Sequence, residues 1–190
     1  MSRRVLTIGA LAIVTVFVGA LMVWQMPRWT SRATPRASAA PSPTAPAPPG
    51  RKIKVRLFYI ADDGMRLTSA ERDIAYGEGA LEQAREIVAA QIAPVVEPLV
   101  SAVPPGTTLR AVFLTQGGEA YVDLSRELMT AHPGGTLNEL LTIYTIVNAL
   151  TVNLPAVTTV QVLVDGKEVE TLAGHIDLRQ PLAKNLSWIQ

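Results

Sequence analysis

The 190-residue chain carries 17 Lys and Arg against 16 Asp and Glu, a near-balance that hides two opposed segments: the first fifty residues hold five arginines and no acid, whereas residues 51–190 hold the remaining 12 basic and all 16 acidic residues, a net charge of −4. An acidic distal segment lacks the basic face needed to displace counterions from nucleic acid, which excludes DNA and RNA as partners. With no cysteine, disulfides, thiol chemistry, cysteine–zinc clusters and a lipid-modified cysteine are excluded as well.

The first element is an uninterrupted apolar run at 5–24, preceded by Arg3 and Arg4 and flanked at its exit by Trp24 and Trp29. At ~1.5 Å per residue, a helix of that length spans the ~30 Å hydrocarbon layer of a bilayer. It exceeds the usual secretory h-region, and its one A-x-A cleavage candidate, Ala37-Ser38-Ala39, comes late, so an uncleaved signal anchor is expected over a cleaved signal peptide. Residues 1–4 are then a short cytoplasmic amino terminus and the chain beyond the anchor lies outside the cytoplasm, since long domains translocate largely regardless of loop charge. Residues 25–50 form a linker: Pro35, Pro41, Pro43, Pro46, Pro48 and Pro49 fix φ and remove amide donors, favouring extended polyproline II over helix or sheet.

Residues 51–190 are sufficient for one domain. Ile53, Val55, Leu57 and Tyr59 alternate with Lys54, Arg56 and Phe58, predicting a strand that ends at the turn Asp62-Asp63-Gly64, with 67–76 returning beside it. Leu81, Ala84, Val88 and Ile92 form a helical stripe closed by Pro94. Two strands at 109–115 and 120–123 flank Gln116-Gly117-Gly118-Glu119, a hairpin signal. Thr136 and Glu139 have the spacing of a capping box before the helix of Leu137, Leu140, Leu141, Tyr144 and Val147. Val160, Val162 and Val164 then alternate up to Asp165-Gly166, which predicts a two-residue hairpin turn into 168–172. The expected fold is α+β: strand, helix, hairpin, helix, hairpin, with helices packed on a mainly antiparallel sheet.

The run Val103-Pro104-Pro105-Gly106-Thr107, then Ala120-Tyr121-Val122-Asp123-Leu124-Ser125, the helix into Val147-Asn148-Ala149-Leu150-Thr151, the strand and turn at 160–166, and Gly174-His175-Ile176-Asp177 with Pro181-Leu182 together resemble the GerMN domain family of sporulation and germination proteins. The resemblance spans nearly all of 53–182 and implies an extracytoplasmic, membrane-attached α+β module, similar to the ring-building folds of secretion machines, without catalytic residues or cofactors. Its motifs supply candidate interaction positions at Asp123, Ser125, Asn148, Asp165, Gly166, Gly174, His175, Asp177 and Pro181. The chain departs from the family's tandem form in having one module.

Enzymatic readings are weaker. Ser125, His132, His175, Asp123 and Asp177 include the residue types of a hydrolytic triad, but no G-x-S-x-G elbow is present. Ser125 reads as a cap or turn residue and His132, before Pro133, as a loop residue. Zinc would require both histidines and carboxylates in one cluster, and Asp62-Asp63-Gly64 lacks EF-hand spacing. Asn148, among apolar helix positions, is expected to hydrogen-bond neighbouring backbone, and the tail around His175 and Asp177 to close a sheet edge or pack back across it. The expected partners are the bilayer through 5–24 and another envelope protein or a second copy, met through a sheet edge or helix face; cell-wall glycan or peptide is the alternative ligand, and wall hydrolysis a third reading.

Overall fold

Strand β1 (Lys52–Ile60) and strand β2 (Leu67–Ala75) pair antiparallel along their whole length, from Lys52 opposite Ala75 to Ile60 opposite Leu67. The computed structural model describes residues 50–190. The predicted anchor at 5–24 and nearly all of the linker lie outside the described residues, among which no helix is long and apolar enough to cross a membrane. Alternation in β1 buries Val55, Leu57 and Tyr59 on one face. The turn that joins the strands uses Gly64 at φ +66°, while Asp63 Oδ1 accepts the amides of Met65 (2.8 Å) and Arg66 (3.2 Å). A short carboxylate satisfying the amides two and three residues ahead is what makes Asp a turn former.

Helix α1 (Ala80–Ile92) stops at Ala93, which is extended before Pro94, as the residue preceding a proline tends to be. Its buried side is rotated from the predicted stripe: Gln83, Ala84, Ile87, Val88 and Gln91 face inward and Leu81 is exposed. Gln91 offsets its burial by pairing both amide atoms with the Phe58 backbone, whereas Gln83 accepts the Gly77 amide on Oε1 and leaves its buried Nε2 without a partner among the described residues.

Strands β3 (Leu109–Leu114) and β4 (Glu119–Leu124) form the predicted hairpin, with Gly118 at φ +84° in its loop. A single turn, α2 (Glu127–Thr130), follows and was not anticipated. Helix α3 (Thr136–Asn153) begins at Gly135, whose φ of +86° suits glycine, and no side chain caps it. The expected capping box is absent because Glu139 turns inward, on the same stripe as Ile143, Ile146 and Leu150.

Strand β5 (Thr159–Val164) returns parallel to β4, from Glu119 opposite Thr159 to Leu124 opposite Val164. Helix α3 lies in the connection that a parallel pair requires. Asp165 (φ 50°) and Gly166 (φ 77°) make the predicted two-residue turn into β6 (Lys167–Glu168), which is shorter than expected, and β7 (Leu182–Ala183) also pairs with β5. The fold is α+β and mostly antiparallel, but the strands divide into two sheets, β1-β2 and β3-β4-β5 with β6 and β7 beside β5, instead of forming one. Helix α3 contacts both, and Leu57, Tyr59, Ile87, Val122, Ile146, Leu150 and Val160 lie in a common core.

Candidate functional site

Four of the candidate positions meet where the parallel strands β4 and β5 end. Asp123, nearly buried, places Oδ2 3.2 Å from Arg110 Nε and accepts the Gly166 amide on Oδ1 at 2.7 Å; Arg110 also reaches Asp165 at 3.5 Å. Ser125 Oγ accepts the Thr108 amide at 3.0 Å, and hydrogen bonding to the Ser125 hydroxyl is the main cause that lowers the Glu127 carboxyl pKa. The Asp165 amide donates to the Leu124 carbonyl at 2.9 Å. Asp123, Arg110 and the Leu124 carbonyl tie the open end of the β3-β4 hairpin to the β5-β6 turn, and Ser125 closes that end through Thr108, which makes the cluster a clasp.

Three more positions, Gly174, His175 and Asp177, lie in a loop built around Glu139. This carboxylate is fully buried and accepts the amides of Leu172 (2.7 Å) and His175 (2.9 Å) as well as His175 Nδ1 at 3.2 Å. Burial pushes its pKa up, but the surrounding amides of Ala173, Leu172, His175 and Ile176 outweigh burial and hold it below the ordinary glutamate value. The bond between the Leu178 amide and the Glu170 carbonyl (2.8 Å) closes the loop, and Gly174 takes φ +94° within it. Asp177 accepts Arg179 Nε at 2.9 Å and Nη2 at 2.7 Å; this side-chain pairing first, then the Arg179 amide, lowers its carboxyl to about 2.

The last two positions belong to the carboxy-terminal segment. Pro181 is half-buried and leads into β7, which covers part of the β5 edge. Asn148 binds this segment through both amide atoms, donating to the Asn185 carbonyl at 2.8 Å and accepting the Asn185 amide at 3.0 Å, so the expected backbone partner is present. Farther on, the Leu67 amide donates to Trp188 O (2.7 Å) and the Gln190 amide donates to Leu67 O (2.8 Å). The segment stitches β5, α3 and β2 together.

The hydrolytic residue types have separate partners. His132 accepts the Gly134 amide on Nδ1, which places its proton on Nε2 facing Thr142 Oγ1 at 3.2 Å, and burial lowers its pKa. Ser125 is bonded to Thr108, His175 to Glu139 and Asp177 to Arg179. No cluster of three or more metal-ligating side chains occurs among the described residues.

The sheet edges offer a different kind of site. Alternate residues of β1 direct their backbone groups away from β2, and three of them are capped: Arg56 by Asn153 (N–H to Oδ1 2.8 Å, Nδ2 to C=O 2.7 Å), Phe58 by Gln91 (2.9 and 2.8 Å), and the Ile60 amide by the Val100 carbonyl (2.8 Å). Two helix-borne amides thus act in place of a neighbouring strand. On β2 the outward set is Leu67, Ser69, Glu71, Asp73 and Ala75; the carboxy-terminal segment takes Leu67, and the other four have no backbone partner among the described residues and are exposed. An exposed strand with open amides and carbonyls is a ready template for another chain.

The profile of the Germane family, described as sporulation and spore germination, matches residues 56–170, more than half of the chain. The chain belongs to this GerMN (Germane) family. No curated protein is a significant match to the chain. Among solved structures, the Germane fold described above is similar to a candidate lipoprotein from Clostridium perfringens, at 22% identity and a TM-score of 0.50 over 70% of this chain and 88% of that one. It is also similar to the tandem GerMN domains of the sporulation protein GerM from Bacillus subtilis, at 17% identity and a TM-score of 0.54 over 70% of this chain. The chain spans 46% of that tandem protein.

Proposed function

We propose that this Germane protein is a membrane-anchored, extracytoplasmic interaction module of the cell envelope, working in a sporulation, germination or wall-associated assembly, and that its docking element is the open edge of β2. The observation that carries this reading is the contrast between edges: β1 is capped at Arg56, Phe58 and Ile60 by Asn153, Gln91 and Val100 and is open only at Lys52 and Lys54, whereas on β2 Ser69, Glu71, Asp73 and Ala75 all present unpaired backbone. Strand addition to such an edge derives its affinity from main-chain hydrogen bonds and its selectivity from side chains on the two faces. The anchor rests on the apolar run at 5–24, and the compartment on the position of the domain behind it. The polar residues that suggested chemistry are engaged in holding loops together, which supports a scaffolding role over catalysis.

In-cell photocrosslinking tests this directly. A photoreactive residue at Glu71 of the full chain should capture a discrete protein, while the same probe at Lys167, beside the β5-β6 turn, should not. Equal capture at both positions, or none at Glu71, would overturn the assignment of the edge.

A further inference from the structure

We propose that the segment accepted by the β2 edge is an extended peptide alternating basic and apolar side chains; this rests on the docking reading above and names the partner's chemistry. The open stretch runs from Ser69 to Ala75, about 20 Å at ~3.3 Å per strand residue. It starts at Ser69 because Trp188 and Gln190 already occupy Leu67. On one face the edge shows Ser69, Glu71 and Asp73, backed by Arg56 opposite Glu71 and by Lys54 opposite Asp73, with Lys54 Nζ 3.4 Å from the Asp73 carboxylate. Charge therefore alternates across the sheet, positive on β1 and negative on β2. A third strand continues the pattern only if it is positive on this face, because opposite charges directly across strands stabilise and like charges destabilise.

The other face differs. There β2 shows half-buried Ala70 and buried Ile74, on either side of Arg72, whose guanidinium lies 5.8 Å from the Tyr59 ring centroid. Apolar side chains opposite Ala70 and Ile74 extend the core by one strand. Neighbouring side chains of a strand point to opposite faces, so the two requirements combine into strict alternation. Strand β1 has that pattern itself, in Lys52-Ile53-Lys54-Val55-Arg56-Leu57.

A second copy's β2 does not meet the requirement. Antiparallel pairing centred on Arg72 sets Glu71 opposite Asp73 at both ends and Arg72 opposite Arg72; shifting the centre to Glu71 or Asp73 sets acid against its own copy. The same charges that keep the edge from pairing with itself select a basic partner.

The test uses the full chain in detergent and two peptides, one alternating lysine and valine and one alternating glutamate and valine, with binding followed by fluorescence anisotropy and hydrogen exchange at Ser69, Glu71 and Asp73. The lysine peptide should protect these amides and bind at least tenfold more tightly than the glutamate peptide. Glu71→Pro should weaken binding about tenfold while leaving the melting temperature nearly unchanged, because the lost N–H faces away from β1 and proline is tolerated at such edge positions. Glu71→Lys with Asp73→Lys, which keeps the backbone donor, should reverse the peptide preference. Equal affinity for both peptides, or binding unaffected by Glu71→Pro, would overturn the proposal. Capture of a protein at Glu71 in cells, with no protection by the lysine peptide, would sink the basic-alternating partner while leaving the docking edge standing; failure of both would remove the edge altogether.

Discussion

Replacing Glu139 should be the most damaging single polar substitution in the domain. Its carboxylate is 0% exposed and accepts three hydrogen bonds, two from backbone amides and one from the His175 ring. Glu139→Ala leaves the buried Leu172 amide with no acceptor, a loss of about 2 kcal/mol, while the more exposed His175 groups regain water and contribute about 1 kcal/mol. The total of about 3 kcal/mol is a substantial fraction of the roughly 5–15 kcal/mol available to a domain, and corresponds to a fall in melting temperature of about 10 °C. Glu139→Gln preserves shape but turns an N–H toward the amides, and should cost about half as much. Thermal unfolding by circular dichroism gives the magnitude, and hydrogen exchange in 170–178 gives its location. The pH dependence adds a second check. Because the folded pKa lies below the unfolded one, the contribution of the ionised Glu139 is fully present above the ordinary glutamate range and is lost as pH falls through the lower folded value. Wild type and Glu139→Gln should therefore differ at neutral pH and converge in acid. A cost under ~1 kcal/mol for Glu139→Ala, or wild-type and Glu139→Gln stabilities that are already equal at neutral pH, would refute the carboxylate cradle as the organiser of this loop.

Gln91→Ala should cost about 2 kcal/mol, because it strands the buried Phe58 amide and carbonyl, whereas Asn153→Ala, at more exposed Arg56, should cost about half as much; urea denaturation compares the two. Asn148→Ala should release the carboxy-terminal segment, seen as faster exchange at Asn185 and at the Leu67 amide with a stability loss of about 1–2 kcal/mol. Arg179→Ala should raise the Asp177 carboxyl from about 2 toward its ordinary value near ~3.9, read by NMR titration, with little change in melting temperature because the pair is exposed.

Patterns local to one element were legible in the sequence. The alternation of β1, the turns at Asp63-Gly64 and Asp165-Gly166, and the need of Asn148 for a backbone partner depend on neighbours a few residues away or on the cost of burying an amide, and each appears in the fold. What escaped depends on distant contacts. Gln91 lies 33 residues from Phe58 and Asn153 lies 97 from Arg56, so nothing local announces that side chains close β1 and leave the strands in two sheets. Glu139 satisfied a local capping pattern, yet its spacing from Ile143, Ile146 and Leu150 placed it on the buried stripe; that competing signal was available and proved stronger. Of the nine candidate positions, Asp123, Ser125, Asp165 and Gly166 converge at one end of the β4-β5 pair, Gly174, His175 and Asp177 share a loop, and Asn148 and Pro181 serve the final segment. They mark architecture. The open edge lies on β2.

The unequal rims of the β1-β2 sheet set its valence. Growth of a sheet from molecule to molecule requires each added unit to present a fresh strand on its far side, and Gln91 and Asn153 take that possibility from β1 at Phe58 and Arg56. A strand added at β2 would therefore find no continuation along the capped Arg56–Ile60 half of β1 in the next copy, which limits how far this sheet can propagate from molecule to molecule.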